Sequence, residues 1–344
     1  MKIVVYPQQT GNTGLSTNPY IRDFVKAMTD AGVQVVNGPV RNPLIGMLPH
    51  CLKGDALVMH WLENVPDYKY GPVQTLCALA MLAAARVTGH TTVWFLHNCR
   101  SHATSHQWQK QFITRALMRH ATLVVTHASQ GVEVLHKQCP SRRSSAVWLH
   151  HPTKNRLDTV RQCRADATNA VDTDLLIWGT ISPYKGVDKW LEFMKQTHSS
   201  LKVRIVGRCP NEALAHRLTA MAAELSTVHF DNRSLTFDEL AAEVSRSRFV
   251  LVPYAAESVL SSGILMDSLS LGAKVIGPNV GSFSDYAAEP LLSVATFDTY
   301  ADVERIVASD DGQPANLESY AQFLDGHDWA HFARELSRLI AETR

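Results

Sequence analysis

Cationic residues follow predicted strands in the second half of the sequence. Lys185 lies in the loop between Pro183 and Gly186, after the predicted strand Leu175–Gly179 and directly before a predicted helix. Arg208 follows the next predicted strand. A lysine or arginine beside the unpaired backbone N–H groups of a helix N-terminus is suited to binding phosphate. These residues together predict a diphosphate site, although Lys185 taken alone would more often be a solvated loop lysine.

A later turn adds backbone donors to this predicted site. The sequence Ser-Ser-Gly at 261–263 precedes a predicted helix that carries Asp267, and such a turn presents N–H groups that can hold a phosphate. A serine that only caps the helix explains the turn equally well. Asp267 is placed to reach a ribose hydroxyl. The predicted donor-binding residues are Lys185, Arg208, Tyr254, Ser261, Ser262, Gly263, Ile264 and Asp267.

The first half carries a different set of side chains at its predicted strand ends. The strand Ala56–His60 runs into Trp61 and Glu63, and the strand that begins at Thr91 ends in His97 and Asn98, followed by His102. An indole ring with polar neighbours suits a sugar, whose C–H face stacks while its hydroxyls form hydrogen bonds. The spacing of His97 and His102 is that of a loop, so these residues predict a sugar site in preference to a metal site.

Alternating strands and helices must position these residues. Short apolar runs alternate with helix-length segments in both halves, which predicts parallel sheets with helices on both faces, an α/β fold. Two such halves predict two doubly wound, Rossmann-like domains that face a cleft, with ligands beyond the carboxyl ends of the strands. The predicted strands are Lys2–Tyr6, Val33–Asn37, Ala56–His60, Thr91–His97, Thr122–Thr126, Ala146–His150, Leu175–Gly179, Lys202–Gly207, Val228–Asp231, Phe249–Pro253, Lys274–Gly277 and Leu291–Ala295.

The predicted boundaries follow from composition. A polar stretch without strand character separates the two halves, and the chain closes with an amphipathic helical pattern that includes Trp329, Phe332, Leu336 and Ile340. The predicted organisation is a first domain over 1–155, a linker over 156–173, a second domain over 174–325 and a C-terminal helix over 326–344.

Composition excludes several classes of protein. The chain has 344 residues, of which 45% are hydrophobic and 19% charged, a balance typical of globular proteins with ample core material. The longest apolar stretch, Leu76–Val87, is too short to span a bilayer. No apolar leader precedes Lys2, and the six scattered cysteines lack a C-x-x-C pair. We therefore expect a cytoplasmic protein with free thiols.

Charge is unevenly distributed along the chain. Residues 1–160 carry 16 Lys and Arg against 7 Asp and Glu, whereas residues 161–344 carry 17 against 25. A basic first half could face nucleic acid, an anionic membrane or a phosphorylated substrate, or could be a solvated bias without meaning. Because no basic helix or aromatic nucleic-acid motif is present, nucleic acid is not an expected partner.

The assembled motifs resemble those of the GT-B glycosyltransferases, and in particular enzymes similar to glycosyltransferase family 4. The loop 179–188 resembles the one in which a lysine meets the donor diphosphate, and the segment 253–272 resembles the nucleotide-sugar motif. More narrowly, five segments in the same order resemble the β-mannosyltransferases of xanthan-type exopolysaccharide assembly. They are Thr17–Tyr20, His60–Glu63, His97–Asn98 with His102, Pro183–Val187, and Ser262–Gly263 with Leu269–Leu271.

Two departures from the broader family pattern concern the donor site. Thr180 stands where members carry an arginine, and Arg208 is the candidate to supply that missing cation. Asp267 stands in place of the second of two glutamates that members carry eight residues apart, and Glu257 lies out of register with the first.

The resemblance implies a hexosyltransferase that moves a sugar from a nucleoside diphosphate, GDP-mannose favoured, to a lipid-linked glycan acceptor in polysaccharide biosynthesis. It further implies that the first domain binds the acceptor, that the second binds the nucleotide sugar, and that the closing helix crosses back onto the first domain. The expected location is the inner face of the membrane, where the basic first half would meet anionic lipid as a peripheral protein.

The resemblance also implies inversion at the sugar, which requires a general base. Glu63 is the predicted base, because it alone among the acidic residues of the first half directly follows a predicted strand-end motif at the cleft. His97 is the second predicted catalytic residue, and His97 or His102 is the alternative base. No metal and no cofactor are expected, since cations and N–H groups can stabilise the leaving diphosphate. The predicted acceptor or sugar contacts are Asn18, Tyr20, His60, Trp61, Asn98 and His102.

Other interpretations stay open at this point. A UDP-sugar-dependent glucosyl- or galactosyltransferase, a nucleotide-sugar 2-epimerase and a non-catalytic sugar-nucleotide-binding protein would all use the same architecture. A two-lobed solute-binding protein is disfavoured by the expected absence of a leader sequence.

Overall fold

The computed structural model describes residues 1–8, 19–98, 105–165, 171–254 and 260–343. The chain divides into two compact units. Unit 1 comprises Met1–Pro152 with His327–Arg344, and unit 2 comprises Thr153–Gly326. Each unit is a parallel sheet covered by helices, which confirms the predicted α/β fold.

The sheet of unit 1 has six strands within the described residues, in the order β2-β1-β3-β4-β5-β6, and every neighbouring pair is parallel. The chain winds outward in one direction from β1 to β2 and in the other from β3 to β6, so the order reverses between β1 and β3. Its strands are β1 (Lys2–Tyr6), β2 (Gln34–Val35), β3 (Ala56–His60), β4 (Thr91–Leu96), β5 (Leu123–Thr126) and β6 (Ala146–Trp148).

The helices of unit 1 include one from the far end of the chain. They are α1 (Tyr20–Asp30), α2 (Pro43–Met47), α3 (Gly71–Val87), α4 (Gln107–His120), α5 (Ser129–Gln138) and α14 (Trp329–Glu342), with short 3-10 helices at Leu62–Asp67 and Pro140–Ser145. Phe332, Leu336 and Ile340 of α14 share a buried core with Phe24 of α1 and Phe95 of β4. The C-terminal helix therefore belongs to the first unit, as predicted.

The sheet of unit 2 also has six described strands, all parallel, in the order β12-β11-β10-β7-β8-β9. The order reverses between β7 and β10. The strands are β7 (Thr173–Trp178), β8 (Val203–Val206), β9 (Val228–Asp231), β10 (Ser247–Leu251), β11 (Val275–Pro278) and β12 (Val294–Phe297). The helices are α6 (Leu157–Ala165), α7 (Val187–Thr197), α8 (Glu212–Ala223), α9 (Phe237–Ser245), α10 (Gly263–Ser270), α11 (Ser282–Ala287), α12 (Tyr300–Ser309) and α13 (Leu317–Gly326), with a 3-10 turn at Pro183–Lys185.

Much of the segment predicted as a linker, 156–173, is instead a helix of unit 2, since Leu157–Ala165 forms α6. Helix α6 begins at Leu157, and both Leu157 and Val160 are buried in a core that also contains Leu240 and Val244 of α9. The apolar residues recur every three positions within an otherwise polar stretch, which is enough to pack one helical face although the composition is typical of a linker.

Two further sequence-based expectations can be compared with the structure. In the described part of the chain, no disulfide links Cys51, Cys77, Cys139, Cys163 or Cys209, as predicted. Over the same residues, no helix is both long and apolar enough to cross a membrane.

Candidate active site

The carboxyl edge of the unit 1 sheet brings together side chains from four elements. His60 ends β3 beside the reversal of strand order, and Trp61 follows in a left-handed conformation with φ of 51°. This turn directs the chain into the 3-10 helix that carries Glu63. His97 follows β4, and Tyr20 opens α1. The reversal point of a doubly wound sheet is where ligands characteristically bind.

An aromatic and histidine cluster lies on the α1 side of this edge. The Trp61 indole stacks on the His97 ring, with centroids 4.1 Å apart and 18° between the planes. The Tyr20 ring packs edge-on against His60 and His97, and Trp329 from the C-terminal helix contacts Tyr20 at 5.4 Å. The structure therefore unites four of the predicted residues, Tyr20, His60, Trp61 and His97.

Hydrogen bonds fix the tautomer of a further histidine, His127. Its Nδ1 lies 3.0 Å from the carbonyl oxygen of Leu149, which can only accept, so Nδ1 carries the proton. Its Nε2 therefore accepts, and the Tyr20 hydroxyl donates to it over 2.7 Å. Burial lowers the pKa of His127 well below the usual range, so the ring is neutral.

The contact between the His60 and His97 rings determines which nitrogen of His97 carries its proton. The Nδ1 of His60 lies 3.0 Å from Nε2 of His97, and the Nε2 of His60 is buried without a hydrogen-bond partner among the described residues. A buried N–H without an acceptor is more costly than an unused lone pair, so the proton of His60 belongs on Nδ1. His60 then donates to His97, whose own proton is left on Nδ1. Burial lowers the pKa of both rings well below the usual range.

Glu63 occupies a separate, buried environment. Its side chain is only 7% exposed, and Trp94 Nε1 donates to its Oε2 over 3.3 Å. Burial raises the pKa of Glu63 to about 7, opposed by hydrogen bonding and by the positive charge of Lys110. A carboxyl with a pKa near neutrality is suited to accept a proton at physiological pH.

Glu63 and the histidine cluster lie on opposite faces of the sheet. Trp94 and Phe95 are consecutive residues of β4 and so point to opposite sides. Glu63 bonds to Trp94, whereas the His60 ring stacks on Phe95 at 4.2 Å. The residues predicted as catalytic, Glu63 and His97, therefore share the edge of the sheet without sharing a face.

Of the three other sugar or acceptor contacts predicted in the first half, the structure describes only Asn98. Asn98 is half-buried directly after His97. Asn18 and His102, together with Thr17, lie outside the described residues.

The reversal point of the unit 2 sheet is built around Lys185. The loop that carries Lys185 follows β7, and Tyr254 lies just beyond β10, the neighbouring strand at the reversal. Lys185 is 8% exposed, and its Nζ lies 5.5 Å from the centre of the Tyr254 ring. Burial lowers the pKa of Lys185 to about 8. No carboxylate lies within ion-pair distance of it among the residues that the structure describes.

Glycines allow the loops around Lys185 to approach one another closely. A Cβ on Gly207 would lie 1.9 Å from the Gly179 carbonyl oxygen, so the ends of β7 and β8 meet only because position 207 has no side chain. The Ile181 N–H donates to the Arg208 carbonyl over 2.8 Å, which fixes the Arg208 backbone beside the Lys185 loop. The Arg208 side chain is exposed.

The start of α10 forms the other wall of this site. Ile264, Lys185 and Tyr254 line one small pocket together with Trp178. The Ser262 side chain accepts the Leu265 N–H over 3.3 Å and so caps the helix.

The predicted turn residues differ in their surroundings. Gly263 is exposed, with open space where a side chain would project, and Ser261 is half-buried. Asp267 pairs with Arg156 over 3.5 Å, and the Arg156 guanidinium lies 3.7 Å from the Phe237 ring centre. The structure therefore groups Tyr254, Ile264 and Lys185, and places Asp267 in an ion pair.

Sequence reasoning missed several residues of the unit 1 site. His127 directly follows β5, the same strand-end signal that identified His60 and His97, and could have been found. Trp94 and Lys110 lie within a strand and a helix, and only the three-dimensional structure associates them with Glu63. In the described part of the chain, no group of three or more His, Cys, Asp or Glu is arranged to hold a metal.

The architecture of the chain matches that of several solved structures. The chain superposes on Anabaena Alr3699/HepE in complex with UDP with a TM-score of 0.70 at 14% identity, over 99% of this chain and 100% of that one. The lipopolysaccharide outer core galactosyltransferase WaaB matches with a TM-score of 0.65 at 9% identity, over the whole of both chains. The chain has the GT-B glycosyltransferase fold. The fold implied by the sequence motifs is thus confirmed.

The sequence comparison also finds a glycosyltransferase. The chain is 27% identical over 274 residues to the GDP-mannose:glycolipid 4-beta-D-mannosyltransferase of Xanthomonas campestris pv. campestris, covering 78% of this chain and 72% of that protein. This match confirms the resemblance found in the motifs. No protein-family model matches the chain.

Proposed function

We propose that this protein is a GDP-mannose-dependent glycosyltransferase that transfers mannose to a lipid-linked glycan acceptor. The observation that carries the proposal is the buried Lys185 ammonium at the reversal point of unit 2, with no carboxylate in ion-pair range among the described residues. A buried unpaired charge is costly. A nucleoside diphosphate bound there would compensate this charge. The mannosyl donor and glycolipid acceptor are those in the name of the Xanthomonas relative.

The proposed reaction is a single inverting displacement. The acceptor oxygen forms a bond to C1 of the mannose as the bond from C1 to the diphosphate oxygen breaks. The hydroxyl proton passes to the Glu63 carboxylate, and GDP leaves with its developing negative charge stabilised by Lys185, Arg208 and the N–H groups at the start of α10. No metal or cofactor has a role in this scheme, because these groups supply the positive potential.

In unit 1 the roles divide between the two faces of the sheet edge. Glu63 is the base, because its raised pKa leaves it competent to take a proton near pH 7. His97, neutral and protonated on Nδ1, is a hydrogen-bond donor to a sugar oxygen, and the Trp61 ring that stacks on it adds an apolar surface. Asn18, Tyr20, His60, Asn98 and His102 are proposed to complete the sugar and acceptor contacts.

The proposed setting is the inner face of a membrane, in exopolysaccharide assembly. A cytoplasmic, peripheral protein at this location would bind a nucleotide sugar from the cytoplasm and a lipid-linked acceptor from the membrane. The excess of Lys and Arg over Asp and Glu in residues 1–160 supports contact with anionic lipid.

A second candidate donor is a UDP-sugar, favoured by the similarity to a GT-B protein solved with UDP. A thermal-shift comparison of GDP, GDP-mannose, UDP and UDP-glucose separates the two. Ligand at 100 times its dissociation constant should stabilise the protein by about 2.7 kcal/mol. We expect the shift with GDP and GDP-mannose, and its loss in Lys185→Met but not in Lys189→Met, an exposed lysine of the following helix. A shift with UDP and not with GDP would assign a UDP-sugar as the donor. The absence of a shift with all four ligands would refute the proposed donor site.

A further inference from the structure

The exposed face of α3 is almost entirely apolar. Successive outward positions along this helix are Val73, Leu76, Ala80, Ala83 and Val87, and Leu76 is 68% exposed. A surface helix ordinarily carries polar residues on its outer face, and a helix that is apolar all round is normally covered by something. The outer face of α3 therefore lacks its expected covering among the described residues.

Helix α4 extends this apolar surface. It packs beside α3, and the C-terminal ends of the two helices meet where Arg86 Nη1 lies 3.1 Å from His120 Nδ1. Trp108 is 73% exposed and Phe112, one turn further, is 56% exposed. We use the term apolar patch for the exposed set near the start of both helices, which comprises Tyr70, Val73, Leu76, Trp108 and Phe112.

Basic residues predominate around the apolar patch, and the neighbouring acidic residue Asp67 is paired with Lys110 of α4. Neither α3 nor α4 contains an Asp or Glu. Lys69, Arg86, Arg115 and Arg119 are exposed, and Arg115 and Arg119 continue the Trp108–Phe112 face along α4. A covering partner must therefore be both apolar and anionic.

An anionic bilayer fits both requirements. Exposed Trp and Tyr beside Lys and Arg are characteristic of the boundary between headgroups and acyl chains. Shallow insertion of apolar side chains and attraction of basic ones to anionic lipid reinforce each other. A protein partner or a second copy would need its own acidic rim around an apolar centre.

We propose that the apolar patch inserts into the interface of an anionic lipid bilayer, with the arginines of α3 and α4 on its headgroups. Glu63 lies on this side of the sheet, and Asp67 of its 3-10 helix pairs with Lys110 of α4 over 2.5 Å. Docking in this way holds the sheet edge that carries Glu63 beside the membrane surface. A lipid-linked acceptor then reaches the base without leaving the bilayer; this last step rests on the proposed function, whereas docking itself does not.

Vesicle flotation tests the docking surface directly. The full-length protein is mixed with phosphatidylglycerol–phosphatidylcholine vesicles and with pure phosphatidylcholine vesicles. We expect binding to the anionic vesicles, and at least about a tenfold lower partition coefficient for Trp108→Ser/Phe112→Ser. Val171→Ser, at an exposed valine of unit 2, should bind as wild type. The pair Arg115→Glu/Arg119→Glu should also lose binding, whereas Lys189→Glu/Lys202→Glu, with the same change of charge, should not.

Three outcomes would overturn the proposal. The first is undiminished vesicle binding by Trp108→Ser/Phe112→Ser. The second is a wild-type dimer in analytical ultracentrifugation that this double variant dissociates, which would assign the apolar patch to a second copy. The third is equal binding to neutral and anionic vesicles, which would remove the electrostatic component.

Activity assays separate this inference from the proposed function. With GDP-mannose, Trp108→Ser/Phe112→Ser should keep its turnover on a short-chain, water-soluble acceptor and lose it on the same glycan in vesicles. If wild type turns over neither acceptor yet binds vesicles through the apolar patch, the proposed function fails and the docking surface stands. If the variant loses turnover on both acceptors equally, the link between docking and acceptor delivery is wrong.

Discussion

Nδ1 of His60 lies 3.0 Å from Nε2 of His97, and this contact determines what His97 can do. With Nε2 occupied by the His60 donor and the remaining proton on Nδ1, His97 has no free basic nitrogen. It can donate a hydrogen bond but cannot accept the proton of an acceptor hydroxyl. The contact therefore favours Glu63 over His97 as the base, a choice that sequence reasoning left partly open.

Removal of the His60 donor should impair turnover through His97. We expect His60→Ala to lower kcat/KM by about tenfold or more, because the buried Nε2 of His97 loses its partner. His60→Asn retains a side-chain N–H in reach of Nε2 and should recover most of the activity. Steady-state kinetics and melting temperatures of His60→Ala, His60→Asn and the wild type test this expectation. Equal losses in the two variants at equal stability would show that the hydrogen bond is unimportant.

The pH dependence of kcat/KM should be bell-shaped. Glu63, with a pKa of about 7, must be ionised to act as a base, so the rate rises through that pH. Lys185, with a pKa of about 8, must be protonated to hold the diphosphate, so the rate falls above it. Lys185→Arg should abolish the falling limb, since arginine stays charged. A profile without a rising limb between pH 6 and 8 would argue against Glu63 as the base.

Glu63 should destabilise the folded protein at alkaline pH. Its folded-state pKa lies above the ordinary value of 4.5, so the folded state binds this proton more tightly. Stability therefore falls as pH rises from about 4.5 through 7, by about 3 kcal/mol.

The variant Glu63→Gln tests whether ionisation of Glu63 destabilises the folded protein. Glu63→Gln should be inactive yet more stable than wild type at pH 8, with the difference shrinking towards pH 5. Urea unfolding at the two pH values measures it, and Glu133→Gln, at an exposed glutamate of the same unit, is the control. A variant less stable than wild type at pH 8 would contradict the burial argument.

Lys185 should matter far more than its neighbours in sequence. Lys185→Ala should lower kcat/KM for the donor by about a hundredfold, the scale seen when a single group that stabilises developing charge is removed. Lys189→Ala, at an exposed position on α7, should be close to wild type. Comparable rates for the two variants would place the diphosphate elsewhere.

Much of the fold could be predicted because strands and strand ends have local signatures. The apolar runs that became β3 and β4 are bounded by the polar residues that end them, so His60 and His97 were found together with their strands. Lys185 was found by its Pro/Gly-bounded loop. Helix α6 was missed because its two buried residues, Leu157 and Val160, are diluted by polar ones.

The contacts between distant residues could not be read from the sequence. Trp94 and Glu63 are 31 positions apart, and their hydrogen bond depends on which face of β4 the indole occupies. The pairing of Asp267 with Arg156 likewise depends on how α6 packs against its neighbours. Local patterns predict elements and their ends, whereas side-chain partners follow from the packing of those elements.

Product analysis after incubation with GDP-mannose and a lipid-linked glycan acceptor tests the central claim most directly. We predict that mass spectrometry detects one added hexose, that NMR shows a β linkage, and that the reaction proceeds in EDTA. Glu63→Gln should give no product while still binding GDP. An α-linked product would contradict the inverting role of Glu63, and transfer from UDP-sugars but not from GDP-mannose would contradict the donor assignment.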